Sequence, residues 1–491
     1  MPPHTLRLLL DARAARRGDA EGLARRQRGR LADMVVHART GSPYYRRHYQ
    51  GLPATITDPQ LLPITTKAQL MAHFDEWVTD PAVTLADVEA FVADPALIGH
   101  QLAGRYTVAT TSGTTGVRGL FLVDSDSMAV TSAMAVRMLT DWLTAADLAR
   151  LLTRGGRLAI VAATGGHFAS GAAAASLRRG RTASRVGAFS VQDPLPQLVA
   201  QLNAFDPVVL APYASTGRLL AAEQEAGRLH IHPALVVLSA EGLPEEEHPR
   251  IAQAFGAKVR HSYAATECPF LSYSCQYNWS HVNSDWVLLE PVDADYQPVA
   301  DGQPSHTVLV SNLANRIQPI LRYDLGDSVL VRPDPCPCGN PLPAIRVQGR
   351  TGELLTFVRP DGTAVMLTPL TLSSVLDRIP EIQQSQIVQT GPTSLTLRLR
   401  PAPGTDPASA GHAAHEQITR VLTDHGLGHV RLTLDPEPPH LTAGGETARG
   451  HPVEAVLIAE TPAPIPLRQE GEPLVAMIDV WRSCLTVQMP A

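Results

Sequence analysis

Apolar residues first recur at helical spacing near the N-terminus. Leu31, Met34, Val35 and Ala38 fall on one face of the stretch 21–39, which predicts an amphipathic helix. From residue 157 onward the period changes. The runs 157–163, 208–212, 234–239 and 257–263 are apolar on both faces and alternate with helical stretches, which predicts parallel strands buried between helices. Residues 306–333 read instead as shorter strands, 306–311 and 328–332, separated by turns, an antiparallel or barrel-like segment. Beyond Arg350, Leu395, Leu397 and Leu399 alternate with polar residues as in a half-buried strand, followed by a helix near 411–425 and a strand near 429–434. These patterns predict an α/β protein: a large N-terminal domain (1–349) of parallel α/β sheets plus a small barrel-like segment, a small mobile α+β C-terminal domain (350–460), and a Pro-rich, then apolar, extension (461–491) with no assigned role.

Composition narrows the function classes. A chain of 491 residues is too long for one ordinary core, in keeping with two or more domains. The net charge is −6 with no dense basic patch, which argues against nucleic acid as a partner. No apolar run of about 18 residues is present, so no membrane span is predicted. The Leu-Arg-Leu-Leu-Leu patch at 6–10 lacks the apolar stretch and cleavage site of a signal peptide, so the expected location is cytoplasmic. Lysine occurs only at Lys67 and Lys258, and the 5 cysteines are too few for a disulfide framework.

Two groups of residues carry chemistry. Thr110-Thr111-Ser112-Gly113-Thr114-Thr115-Gly116 is a run of small and hydroxyl residues whose backbone N–H groups can approach an anion, the way a loop cradles phosphate. Composition alone favours a surface Ser/Thr/Gly linker, and no Gly-Lys-Ser/Thr follows, so this is not a Walker loop. Cys275, His281, Cys336 and Cys338 form Cys-x5-His and Cys-x-Cys pairs, the second in a tight Pro-Cys-Pro-Cys-Gly turn. Three thiolates and an imidazole suit a closed, structural tetrahedral Zn²⁺ site, against the plainer reading of free thiols. Cys484 reads as an isolated core thiol.

Further segments occur downstream in a telling order. Ser239-Ala240-Glu241-Gly242, Tyr263-Ala264-Ala265-Thr266-Glu267, Tyr323-Asp324-Leu325-Gly326-Asp327 and Gly349-Arg350 follow the Thr/Ser/Gly loop as the core motifs do in adenylate-forming enzymes, and the chain resembles that superfamily. Ser42-Pro43-Tyr44-Tyr45, Pro63-Ile64-Thr65-Thr66-Lys67, Gly166-His167-Phe168 and Asp285-Trp286 are similar to its phenylacetate-CoA ligase-like branch. The resemblance spans roughly residues 20–450. It implies activation of a carboxylic acid, an aryl acid by analogy, as acyl-AMP with release of pyrophosphate, followed by transfer to CoA. The cofactors implied are ATP, Mg²⁺, CoA and the structural Zn²⁺. The partners implied are a small-molecule acid and an acyl acceptor, with a homodimeric state.

The resemblance also distributes roles. Thr111, Ser112, Gly113, Thr114, Thr115 and Gly116 would hold the β- and γ-phosphates. Ala240 and Glu241 would lie along the adenine, Tyr263 would stack on it, and Asp327 would accept from the ribose hydroxyls. Thr266 would donate to the α-phosphate, Glu267 would hold Mg²⁺ through oxygen, and Arg350 would contact the ribose or phosphate. His167, Phe168, Ala264 and Cys268 would line the acid pocket; a lone histidine is as readily structural, and both roles stay open for His167.

Two positions depart from the superfamily pattern. Where it carries a lysine in a C-terminal Gly-Gly-Lys-like turn, this chain has Gly444-Gly445-Glu446, and no lysine follows Lys258. A carboxylate is unfavourable at an anionic transition state. Either an arginine such as Arg449 substitutes, or adenylation runs without that group, or the ATP half-reaction has been lost and the chain only binds nucleotide or acid. After Gly349-Arg350 the chain has Gly352 and Glu353 where an aspartate is usual; glycine leaves rotation of the small domain open. An amine or hydroxyl is an alternative acceptor to CoA.

Overall fold

The computed structural model describes residues 3–456, apart from 112–118, 163–166, 168–182, 192, 194, 240, 241, 244, 351–354, 362, 363, 368–371, 373, 374, 377, 378, 380, 403 and 440–453. Helix α1 (Pro3–Arg17) leads into α2 (Ala20–Gly41), which buries Leu31, Met34, Val35 and Ala38, the four positions picked out by periodicity. A small antiparallel sheet follows, of β1 (Gln101–Leu102), β2 (Tyr106–Thr110) and β3 (Leu120–Val123).

The predicted apolar runs are strands β4 (Leu158–Ala162), β6 (Val209–Pro212), β7 (Leu235–Leu238) and β8 (Lys258–Ala265), and β5 (Val186–Ser190) joins them. All five are parallel. Parallel neighbours need a long crossover, and helices Leu195–Phe205, Ala214–Glu225 and Glu247–Phe255 lie between successive strands. Leu198, Leu202, Leu220, Ile251 and Phe255 from these helices pack on Val161, Leu210 and Val236 of the strands.

The chain then turns antiparallel through β9 (Cys268–Ser274) and β10 (Ser280–Val282). Strands β11 (Val287–Val292), β12 (Thr307–Asn312) and β13 (Ile320–Asp324) form a separate three-stranded antiparallel sheet. Strands β14 (Asp327–Val331) and β15 (Ala344–Arg350) return to the large sheet, giving nine strands in the order β14-β15-β10-β9-β8-β7-β6-β4-β5. The segment expected to be barrel-like is thus antiparallel but divided between two sheets, because β14 finds its hydrogen-bonding partner in β15 rather than closing on β13.

After residue 354 a further unit has its own apolar cluster, with Leu355, Phe357, Leu395, Leu397, Ile418 and Leu422 among its members. It contains a β-hairpin, Leu355–Val358 with Ala364–Leu367, and a four-stranded sheet of Ile382–Gly391, Ser394–Pro401, Arg431–Asp435 and Glu454–Val456, with helix Pro407–Asp424 against it. Leu395 and Leu397 are fully buried, as their alternation predicts. Among the described residues no helix is long and apolar enough to cross a membrane.

A buried ion pair ties the N-terminal helices to this frame. Arg137, on helix Ser125–Trp142, binds both carboxylate oxygens of Asp285 at 2.8 and 2.6 Å, with side-chain exposures of 3% and 0%. The same guanidinium donates to Asn283 and to the Ala12 carbonyl of α1. Arg30 of α2 donates to the Asp285 carbonyl and to Asp11, and its guanidinium sits 3.5 Å over the Trp286 ring. Removing one member of a buried pair leaves a charge without compensation. Arg137→Ala is therefore expected to cost about 3–5 kcal/mol in urea denaturation, and the paired replacement Arg137→Met with Asp285→Leu to cost less than that single change.

Candidate functional site

Parallel α/β sheets place ligands outside the carboxyl ends of their strands, and the motif residues gather there. His167 follows β4, Ser239 follows β7 and accepts from the Ala214 N–H at 3.1 Å, and Tyr263 lies near the end of β8. The β8–β9 hairpin turns at Thr266 and Glu267, between the paired residues Ala265 and Cys268.

The motif 323–327 is built residue by residue around the turn from β13 to β14. Tyr323 is 1% exposed, and its hydroxyl donates to Glu267 Oε1 at 2.9 Å. Asp324 accepts from the hydroxyls of Thr307 and Tyr296 at 2.6 and 2.8 Å and from the Gly326 N–H at 3.1 Å. Gly326 has φ +75°, a left-handed conformation that glycine adopts without penalty. That turn delivers Asp327, 6% exposed, whose Oδ2 accepts from the Tyr263 hydroxyl at 2.6 Å. Asp327 also stands opposite Arg350 in the β14–β15 register. The two motifs are therefore joined by two hydrogen bonds, each running from a tyrosine of one to a carboxylate of the other.

A polar segment between β12 and β13 fastens the β2–β3 hairpin beside them. Gln318 accepts from Leu122 N at 2.6 Å and donates to the Leu120 carbonyl, and Asn315 donates to the Leu122 carbonyl at 2.8 Å. Asn312, at the start of this segment, donates to the Glu267 carbonyl at 3.1 Å. In the sequence the hydroxyl-rich run lies between β2 and β3. Thr111 N donates to the Gly119 carbonyl at 3.0 Å, and Gly119 N donates to Thr111 Oγ1 at 2.8 Å, so the loop is pinched at its base. Ser112, Gly113, Thr114, Thr115 and Gly116 lie outside the described residues, as do Ala240, Glu241, Phe168 and Glu446, the 461–491 extension with Cys484, and the side chain of Arg350.

The residues assigned to an acid pocket differ in exposure. Ala264 is exposed at a break in the β8–β9 register. His167 is 2% exposed, its ring lies 5.3 Å from that of Phe91, and its carbonyl accepts from Thr110 N at 2.8 Å, next to the loop base. Cys268 corrects the expectation of a pocket-lining thiol: it is fully buried in the apolar cluster that includes Phe270, Leu271 and Val282, and burial pushes its thiol pKa up. It is the first residue of β9, and six of the seven residues of that strand are buried.

The cysteine cluster sits at the other end of β9, seven residues and roughly 23 Å along the strand. The ligand atoms of Cys275, His281, Cys336 and Cys338 all lie within 4.8 Å of one another. The Cys275 and Cys336 sulfurs are 3.7 Å apart, and Cys338 Sγ is 3.1 Å from His281 Nε2. His281 Nδ1 is 2.8 Å from the Leu342 carbonyl, which leaves Nε2 facing the cysteine sulfurs. Backbone N–H groups of Tyr277 and Asn340 approach the sulfurs of Cys275 and Cys338 at 3.4 Å each.

Asn312, Asn315, Gln318, Thr307 and Tyr296, none of them in a recognised motif, hold the site in place, and so does Thr65 of the 63–67 motif. Thr65 pairs with the β13 backbone, its N–H donating to the Arg322 carbonyl at 3.1 Å and its carbonyl accepting from Asp324 N at 2.9 Å. The one signal in the sequence was a cluster of Asn and Gln at 312–318 amid apolar residues.

No protein-family profile and no curated protein sequence matches the chain. Solved structures do. The chain superposes on 2-hydroxyisobutyryl-CoA ligase in its postadenylation state with R3-HIB-AMP at a TM-score of 0.62 and 19% identity, over 96% of this chain and 94% of that one. The same ligase with 2-HIB-AMP gives 0.60 at 20% identity, over 94% and 91%. In the thioesterification state with 2-HIB-AMP and CoA it gives 0.54 at 20% identity, over 97% and 94%. The likeness is one of fold.

An alanine at position 326 meets no atom within 4 Å, so its cost is purely that of the backbone conformation. Gly326→Ala is expected to lower stability by about 1–2 kcal/mol in denaturant titration, and Gly326→Asn by less, since asparagine tolerates the left-handed region.

Proposed function

We propose that the chain activates a carboxylic acid with ATP, forming an acyl adenylate and releasing pyrophosphate, and then transfers the acyl group to CoA. The observation that carries this reading is the joining of Tyr263–Glu267 to Tyr323–Asp327 at the carboxyl edge of the parallel strands, with the β2–β3 hairpin, pinched at Thr111 and Gly119, tethered beside them. The fold shared with a CoA ligase supports it. Here the carboxylate oxygen of the acid attacks the α-phosphorus, the bond from that phosphorus to the bridging oxygen breaks, and pyrophosphate leaves with the electron pair.

The anionic reactants need oriented donors and cations. The loop 111–116 would supply backbone N–H groups and hydroxyls to the outer phosphates. Thr266 would donate to the α-phosphate. Glu267, a buried carboxylate held at one oxygen, suits the hard cation Mg²⁺, which would neutralise phosphate charge. Tyr263 and Asp327 would receive the adenine and ribose, aided by Ala240, Glu241 and Arg350. His167 and Phe168 follow β4 and belong on the acid side, for which an aryl acid of the phenylacetate-CoA ligase-like kind is our choice. We assign residues 1–349 and 350–460 to the large and small domains of such an enzyme.

The cysteine cluster fits a structural Zn²⁺: four ligand atoms lie within reach of one ion, the imidazole is oriented from behind, and no open position would be left for substrate. Elemental analysis of unchelated protein is expected to give one zinc per chain, and His281→Ala to lower both zinc content and thermal stability; protein without zinc overturns the assignment.

Lys258 does not replace the missing C-terminal lysine, because its amine is engaged by Asp147 and the Trp142 carbonyl at the start of β8. A panel of acids assayed for ATP-dependent pyrophosphate release tests the main reading. Release followed by thioester formation with CoA is the expected result. Product formed only with an amine or hydroxyl reassigns the acceptor, and no release with any acid removes the activity. Glu446→Lys is expected to raise the adenylation rate by about tenfold or more, from placing a cation at the anionic transition state.

A further inference from the structure

The two motifs share a spacing that their separate roles do not explain. Each has a tyrosine followed four residues later by a carboxylate, Tyr263 with Glu267 and Tyr323 with Asp327. The hydrogen bonds cross between them, from Tyr263 to Asp327 across 64 residues and from Tyr323 to Glu267 across 56. We propose that Tyr263 and Tyr323 are reciprocal positioning residues, each fixing the carboxylate of the opposite motif so that the metal-binding and ribose-binding acids are presented as one unit.

This inference rests on the nucleotide-binding reading above and deepens it. A glutamate in a hairpin turn has several rotamers, and a hydroxyl bonded to one oxygen selects among them. The hydroxyls are themselves firmly placed. Tyr323 is held on β13 by pairing with Thr65 on one side and with Val310 of β12 on the other, while Tyr263 is paired with Ser272 within the β8–β9 hairpin. Backbone support for the acids is independent of the hydroxyls, through Asn312 at the Glu267 carbonyl and through the Arg350 pairing at Asp327. Replacing either tyrosine by phenylalanine therefore removes an orienting bond and leaves the packed ring.

The two variants have opposite signatures. Calorimetric titration of AMP, and of ATP at a series of Mg²⁺ concentrations, separates them. Tyr323→Phe is expected to raise the Mg²⁺ concentration that half-saturates tight ATP binding by about tenfold, the loss of one hydrogen bond to a charged group, with the AMP Kd within about twofold of wild type. Tyr263→Phe is expected to raise the AMP Kd by about tenfold and to leave the Mg²⁺ half-saturation unchanged. Each variant thus controls for the folding of the other. Both constants moving together in both variants, or neither moving, overturns reciprocal positioning. Wild type that binds neither AMP nor ATP overturns the nucleotide reading itself, a separate outcome.

Discussion

A carboxylate withdrawn from water must be given hydrogen bonds, and at this site each of two buried acids takes one from the other acid's own motif. Glu267 and Asp327 are each 6% exposed, and each takes a tyrosine hydroxyl from a segment more than fifty residues away. Because the two bonds run in opposite directions between the same two turns, neither turn can shift without disturbing both. The β8–β9 hairpin and the β13–β14 turn consequently behave as one floor beneath the carboxyl edge of the parallel strands.

The segments around that floor keep it in register with the β2–β3 hairpin. The segment 312–318 carries amide side chains because it runs between β12 and the β2–β3 hairpin, with no regular sheet partner for many of its groups and those of its neighbours. Asn312, Asn315 and Gln318 supply the missing bonds and reach Glu267 at one end and Leu120 and Leu122 at the other. Behind it, the Tyr45 hydroxyl and the Trp77 indole N–H both donate to the Pro319 carbonyl at 2.9 and 2.8 Å. The aromatic residues near the N-terminus are thereby part of what positions the site, although none of those placed here touches it. Strand β9 links the β8–β9 turn at one end to the cysteine cluster at the other, where β10 and the turn before β15 converge.

Periodicity carried the regular elements because each obeys a local rule. The helix 21–39, the four parallel strands and the alternation at Leu395 and Leu397 all follow from which faces are dry. Strand β5 was not legible: Val186–Ser190 is short and mostly half-buried, a pattern its sequence does not separate from loop. The division of residues 306–333 between two sheets was hidden for another reason, since it depends on β14 pairing with a strand that comes later in the chain.

The sequence by itself determined which residue types were candidates for chemistry: the hydroxyl-rich run, the two tyrosine–carboxylate motifs and the set of three cysteines and a histidine, all recognisable by type and order. It also determined that Cys268 lies beside Glu267 in the chain, and so made it look like a pocket residue. Only the tertiary structure decided that Cys268 turns into the core while Glu267 turns to Tyr323, because adjacent residues at a strand end face opposite sides. It alone decided which tyrosine serves which acid. Hydrogen bonding acts over a few ångströms in space and is indifferent to separation along the chain, so a pairing across 56 or 64 residues leaves no local trace in the sequence.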